Sequence, residues 1–492
     1  MIHFLVAVWI STIGVAATAP AAKWLTPIGT AALAPAIGTA IYVVIGVLLA
    51  ATDAFTTLTA LTVATAVTVS LVVAYFVTTG AEPPYRQILI GGGLALGLVA
   101  AVSLIALNVH ATRFTNDSYR YLMAASWLEQ THGIESIDNR VLVAQQLVVP
   151  LIHTTGWITG DGYTPVLTPL FGAATIATMG WLSIRVLQAK RVSIKWQFLL
   201  LSAASLLLLT TNRFVTNLTY INGHMLFALL LLIAIGLAWL GLVEQEHRYL
   251  YVVGIALAGL AITRTEAMIV IALFLIPILS DRRMRTHDRL LVTAPAVGLA
   301  SIWFGLVLPR HTPDSGVGSS VEFLYGNVII ALLLLAFAIV AGLPGLRKMV
   351  VLSPWLLIGG VLALLGYYTY GDPQILIQSI SSIALNAAYW GFWGSFWYVV
   401  LPLTAAAMIS GIVESDRLWN FGLIGFVLTL PLMAYLRESG YRVGSGDSAN
   451  RMLVHIVPLL VVYLVFTAGQ ASVDLTTERK AALTQTTTPT SA

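Results

Sequence analysis

No cysteine occurs among the 492 residues of the chain. This excludes disulfides, thiolate metal sites and a cysteine nucleophile, and it leaves the compartment open. Charge is almost as scarce, since Asp, Glu, Lys and Arg together make up 9% of the sequence, against roughly a quarter in an ordinary soluble domain. So few charges cannot cover a surface that faces water. No hydrophilic stretch is large enough for a separate soluble domain, so an active site has to be built from loops and span ends. A basic segment is also missing ahead of residues 4–19. That first apolar run is therefore read as a retained helix, although the small residues near Ala19 and Ala22 resemble a cleavage site.

What the chain has is hydrocarbon: 58% of its residues are hydrophobic. Apolar runs of about 20 residues, enough to cross a bilayer core, recur from end to end. They begin near Phe4, Ala31, Leu58, Ile88, Val166, Trp196, Met225, Tyr249, Ala267, Leu290, Val328, Met349, Phe392, Leu418 and Met452. The expected fold is all-α, a polytopic integral membrane protein with about 13–15 transmembrane helices. N-terminal helices would occupy 1–107, an outer loop with interfacial helices 108–165, a transmembrane core 166–468, and a disordered, Thr-rich tail 469–492.

The basic residues orient these spans. Alternating the loops puts sixteen of the 25 basic residues on one side, including all the lysines and the cluster Arg282, Arg283, Arg285 and Arg289. That side is expected to be the cytoplasm, with the C-terminus on it. The nine on the other side are all arginine: Arg113, Arg120, Arg140, Arg213, Arg264, Arg310, Arg437, Arg442 and Arg451. Arginine is the side chain preferred for bidentate contact with phosphate or carboxylate. Residues 249–279 contain two short apolar runs around Thr263, Arg264, Thr265 and Glu266. Each would be about 20 Å long as a helix, so an in-and-out hairpin with a recessed tip is expected.

The longest hydrophilic interval is 108–164, on the outer side. Within it, 118–130 has helix-forming composition and reads as an interfacial helix, and 141–152 is apolar but short, a second interfacial or re-entrant segment. Further outer loops are expected at 309–327, 368–390 and 437–451.

Three short motifs resemble one known group. The outer loop carries Asn116-Asp117-Ser118-Tyr119-Arg120-Tyr121-Leu122, followed by Ala124 and Ala125; residues 259–267 contain Thr263-Arg264-Thr265-Glu266; and Arg451 enters a late span with Pro458 seven residues on. Together they resemble the GT-C superfamily of membrane glycosyltransferases over roughly 113–466. The resemblance implies transfer of a sugar from a polyprenyl-phosphate donor to a glycan, lipid or protein acceptor on the extracytoplasmic face of the cell membrane. It also implies an acidic residue of the first large loop, here Asp117, as catalytic base. A carboxylate within reach of an acceptor hydroxyl can take its proton. Guanidinium groups stabilise a leaving phosphate, and Arg264 and Arg451, then Arg120 and Arg213, are the candidates. Glu266 and Tyr121 complete the expected substrate-binding set.

Plainer readings stand beside these. Asp117 is also what a helix N-cap requires. Thr263 and Glu266 match a capping box, and Glu266 alternatively pairs with Arg264. Arg451 can snorkel to the interface, and the aromatic clusters at 367–370 and 389–398, which could stack against sugar faces or hold the lipid, can equally form an interfacial belt. His110, His132, His153 and His224 form no recognisable metal set, so no metal, cofactor or nucleic-acid partner is expected. Rival functions are a lipid-linked polysaccharide ligase or polymerase, a transporter or flippase for a phosphate-bearing lipid, and a non-enzymatic membrane subunit.

Overall fold

A computed structural model describes residues 1–109, 112–135, 137, 141–142, 146–311, 320–410, 417–436 and 448–486. The chain opens with α1 (Ile2–Thr18) and α2 (Ala22–Ala50), separated by a short 3-10 turn. Helical geometry breaks at Thr26 (φ 63°, ψ 161°), just ahead of Pro27, and the chain turns back on itself. A Cβ on Gly14 would strike the carbonyl of Ala34, and one on Gly38 the carbonyl of Ile10. Residue 14 facing 34 and 10 facing 38 is an antiparallel register, and small residues at both crossings let the backbones touch, as helix association in lipid requires.

The remaining elements follow in order. They are α3 (Thr57–Thr79), α4 (Tyr85–Val109), α5 (Asn116–Thr131), α6 (Val148–His153), α7 (Thr155–Ile158), α8 (Leu167–Ala189), α9 (Ile194–Leu209), α10 (Asn212–Thr219), α11 (His224–Glu244), α12 (Tyr249–Ala261) and α13 (Ala267–Leu279). The second half contributes α14 (Thr286–Ile302), a π turn at Trp303–Val307, α15 (Leu308–His311), α16 (Ser320–Val340), α17 (Arg347–Gly371), α18 (Pro373–Leu385), a π turn at Asn386–Trp390, α19 (Phe396–Ser410), α20 (Arg417–Leu436), α21 (Ser448–Met452) and α22 (Val457–Thr486). At the centre lies α11, apolar on every side and almost wholly buried, as a helix with no polar face must be. Packed against it are α2, α8, α12, α13 and α22.

Each of the fifteen expected apolar runs coincides with one of these helices, and the protein is an all-α polytopic membrane protein. Among the described residues eight stretches are long and apolar enough to span, or nine if the bent pair α9 and α10 counts as one; further apolar helices of 10–17 residues, α12 and α13 among them, are shorter. One of the eight, Ile2–Ala50, is the α1–α2 hairpin.

Two expectations need correction. The segment 368–390 is helical rather than an open loop: Asp372 Oδ1 accepts the Gln374 amide at 3.1 Å and Pro373 opens α18, which together start a new helix. The tail is not disordered from 469 onward, because α22 runs to Thr486 through the helix formers Glu478, Arg479, Lys480, Ala481, Ala482 and Leu483. The expected loop 437–451 with Arg437 and Arg442, and also Arg140 and His110, lie wholly or largely outside the described residues.

Contacts sort the connections onto two faces. His3 Nε2 meets Asp161 Oδ2 at 2.6 Å, Phe55 N donates to His132 O at 3.0 Å, and Arg213 N to Phe392 O at 2.9 Å. These bring the N-terminus, the α2–α3 turn, the long loop and the α18–α19 connection to one face. On the opposite face Tyr249 OH donates to Trp24 O at 3.1 Å, Arg248 lies 4.0 Å over the Trp24 ring, and Arg185 pairs with Glu244 at 2.7 Å. The alternation read from the charges therefore agrees with the packing.

Candidate functional site

The site is assembled at the start of α5. Thr115 precedes the helix, and its amide donates to Ser118 Oγ at 3.0 Å, so the helix start is closed by Thr115 and Ser118. Asp117 is not the N-cap; it sits in the first turn, where the helix dipole favours a carboxylate and leaves it available to the cavity. This end of α5 is fastened to the α10–α11 connection. Arg113 N donates to Thr219 O at 2.9 Å, Ile221 N to Arg113 O at 3.2 Å, and Ser118 Oγ to Ile221 O at 3.2 Å, while Thr115 Oγ1 and Tyr220 OH lie 2.6 Å apart.

Across from Asp117 stands Arg451, the last basic residue of α21. Its Nη1 donates to Asp117 Oδ2 at 2.7 Å, although 334 positions separate the two in sequence. Both side chains are about a third exposed (28% and 34%), so the pair borders water rather than lying in the core. Burial, the largest single influence, works against the charge on Arg451, but the bond to Asp117, the charge of that carboxylate and Tyr220 together outweigh it, and the pKa is raised.

Asp117 and Arg451 line a cavity of about 410 Å³ together with Arg113, Thr115, Asn212, Arg213, Thr216, Asn217, Tyr220 and Phe392. The 76° bend between α9 and α10 swings Asn212, Arg213, Thr216 and Asn217 toward it. Those positions fall one helical turn apart, so one face of α10 supplies them all. Phe392 holds φ 61°, an uncommon conformation for a residue with a Cβ, and its carbonyl accepts the Arg213 amide.

No family model, curated protein or solved structure matches the chain.

Behind the cavity lies the α12–α13 tip. Thr263, Thr265 and Glu266 are fully buried and Arg264 nearly so. The capping-box reading does not hold: Thr263 Oγ1 donates back to Leu260 O at 2.6 Å, and Glu266 pairs with Arg264 Nε across the tip. A lone guanidinium recessed this far would be costly, and the carboxylate beside it offsets that cost. Arg264 is near enough to act electrostatically on Arg451 and Tyr121. Between tip and cavity, His224 Nδ1 and His455 Nε2 lie 2.8 Å apart, and His455 stacks on Phe227.

Thus Asp117, Arg451 and Arg213 line one cavity, with Arg264 and Glu266 just beneath it. Tyr121 is buried against Leu122, Val149 and Ile221 instead of lining the cavity, and burial drives its phenol well above the usual value. Arg120 does not line it either. Met123 and Trp127, one and two turns on, are exposed, and Arg120 shares their side of α5. Sequence reading had not assigned Thr115, Asn212, Asn217 or Tyr220 to the site. The spacing Asn212, Arg213, Thr216, Asn217 directly after an apolar span was the available signal. Asn217 is buried and donates to Arg213 O at 2.8 Å, which fixes this face of α10. Among the described residues no group of three or more His, Asp or Glu is placed to hold a metal.

Proposed function

We propose that the chain is a membrane glycosyltransferase that moves a sugar from a polyprenyl-phosphate donor to an acceptor hydroxyl at the outer membrane face. The observation that carries this reading is the ion pair of Asp117 and Arg451 in the wall of a cavity that also holds Arg213 and Arg113. A carboxylate and several guanidinium groups around one hollow are what proton removal and phosphate departure require. In the proposed step, the acceptor oxygen bonds to the anomeric carbon while Asp117 takes its proton. The bond between that carbon and the donor phosphate oxygen breaks, and the electron pair leaves with the lipid phosphate, held by Arg213 and Arg451. The cavity volume lies within the range of small-ligand sites.

The test is reconstitution of the purified protein in lipid vesicles with a panel of polyprenyl-phosphate sugars. Wild-type protein is expected to transfer sugar to an acceptor alcohol, and Asp117→Asn is expected to insert normally without doing so. Equal transfer by the variant removes Asp117 from the mechanism. Movement of the donor across the bilayer with no transfer by either protein sinks the enzymatic reading in favour of a flippase.

A further inference from the structure

A second cavity, of about 280 Å³, opens on the face opposite Asp117. Its wall comes from the α13–α14 connection, the first turn of α14, the Ala341 and Gly342 turn after α16, and Val350 of α17. Arg282, Arg283, Arg285 and Arg289 all line it, and no lining residue is acidic. The nearby carboxylates are already engaged. Asp281 is bonded by Arg283 at 2.7 and 2.9 Å, and Asp288 meets His247 at 2.9 Å. Burial alone would raise the Asp281 pKa, but the bonds from Arg283 prevail and hold it below the usual carboxylate range.

The floor is built rather than merely charged. Arg289 is buried, with Nε donating to Leu279 O at 2.8 Å and Nη2 to Asp281 O at 3.0 Å, so its guanidinium is fixed. Arg282 and Arg285 are exposed beside it. On one side the wall closes tightly, since a Cβ on Gly342 would collide with Thr286 Oγ1. The first turn of the 17-residue helix α14 borders this space, and its start is held in place by the Arg285 amide, which donates to Asp288 Oδ2 at 3.2 Å.

We propose that this cavity binds a phosphate-bearing anion, independently of the reaction at the other face. Topology alone would explain four arginines on this side, because any cation there orients a span. It does not explain a cavity lined by them, a locked arginine at its base and no acid in its wall. Planar guanidinium forks around one hollow match the oxygens of a phosphate. The α13 helix, of 13 residues, separates this cavity from the Arg264 tip by about 20 Å, so the two places are tested separately.

The same chemistry arises from a lipid headgroup or from free phosphate, and two measurements separate them. Delipidated full-length protein in detergent is titrated with inorganic phosphate, and the protein in nanodiscs is titrated with fluorescent phosphatidate against a phosphatidylcholine background. The double variant Arg282→Gln/Arg285→Gln keeps the buried Arg289 and the Asp281–Arg283 pair. It is expected to weaken whichever probe binds by about tenfold, having lost two charge-assisted donors. Lys195→Gln, which removes an exposed cation that lines neither cavity, is expected to leave that affinity unchanged. Dependence seen with phosphatidate alone assigns a lipid headgroup, and dependence seen with inorganic phosphate assigns a free anion. Unchanged binding in the double variant overturns the proposal, as does full binding by Arg282→Lys/Arg285→Lys, which would reduce the site to general surface charge.

Discussion

The two faces of the molecule use arginine in opposite ways. On the face opposite Asp117 the charges are local. Arg283 bonds an aspartate two positions away, and Arg282, Arg283, Arg285 and Arg289 come from one short connection. At the Asp117 face, Arg113, Arg213, Arg264 and Arg451 come from four separate segments, and the pair of Asp117 with Arg451 closes a loop of 334 residues. The first arrangement needs only a sequence of the right composition; the second needs the whole bundle to have folded. A cell can use the first during insertion and the second only afterwards.

This contrast can be broken or sharpened by substitution. The largest effect is expected at Asp117. If it is the base, Asp117→Asn lowers the transfer rate about 10²–10⁴-fold, the usual contribution of such a group, in a vesicle assay with yield and insertion unchanged. Next comes the buried tip. Removing one partner of a desolvated pair strands the other, so Arg264→Ala is expected to destabilise by about 3–5 kcal/mol in a thermal or denaturant assay, and Arg264→Ala/Glu266→Ala by less than the sum of the single changes. Equal effects at Arg264 and Arg283 would erase the distinction between the faces.

Arg451→Gln should divide stability from activity. The pair it breaks is about a third exposed, which limits its contribution to about 1 kcal/mol or less, while transfer should fall far more than that stability change explains. The smallest effect is expected at Glu129, on the same helix as Asp117 but without an arginine. It accepts a 3.0 Å bond from Thr57 Oγ1, and burial, the larger influence, raises its pKa. Because the unfolded chain ionises at the ordinary carboxylate value and the folded chain only at higher pH, the raised pKa favours folding at acid pH. That advantage is lost as the pH climbs through the raised value. Glu129→Gln should therefore melt slightly higher than wild type above neutrality, and the difference should shrink on acidification.

Much of the architecture was legible because lipid imposes a simple code. An apolar run of sufficient length has to become a helix, since nothing else satisfies its backbone there. The helix over α5 and the short hairpin with its buried tip at 263–266 were legible in the same way, whereas Asp117 and Arg451 were named as candidates for one site only through the resemblance of their motifs. Legibility failed where polar residues are few and close to a span. Asn212, Arg213, Thr216 and Asn217 looked like a connection, and only the bend after Leu209 makes them a helix face in the cavity wall. Arg120 stands one turn from Asp117, but it shares the exposed side of α5 with Met123 and Trp127 and does not line the cavity, which composition alone does not reveal. Asp117 itself read equally well as a cap, and the choice depended on Thr115, which composition does not single out.

The sharp corner between α9 and α10 ties the cavity to the thickness of the host bilayer. At 16 residues α9 reaches about 24 Å, short of a typical hydrocarbon core of about 30 Å. The surrounding lipid must thin, or the helix must ride upward, and Arg213 at the elbow travels with it. Long-chain lipids are expected to draw the elbow away from Asp117, and short-chain lipids to let it settle back. Reconstitution across an acyl-length series would expose this as a rate optimum, and a flat profile would show that the elbow is clamped by its neighbours.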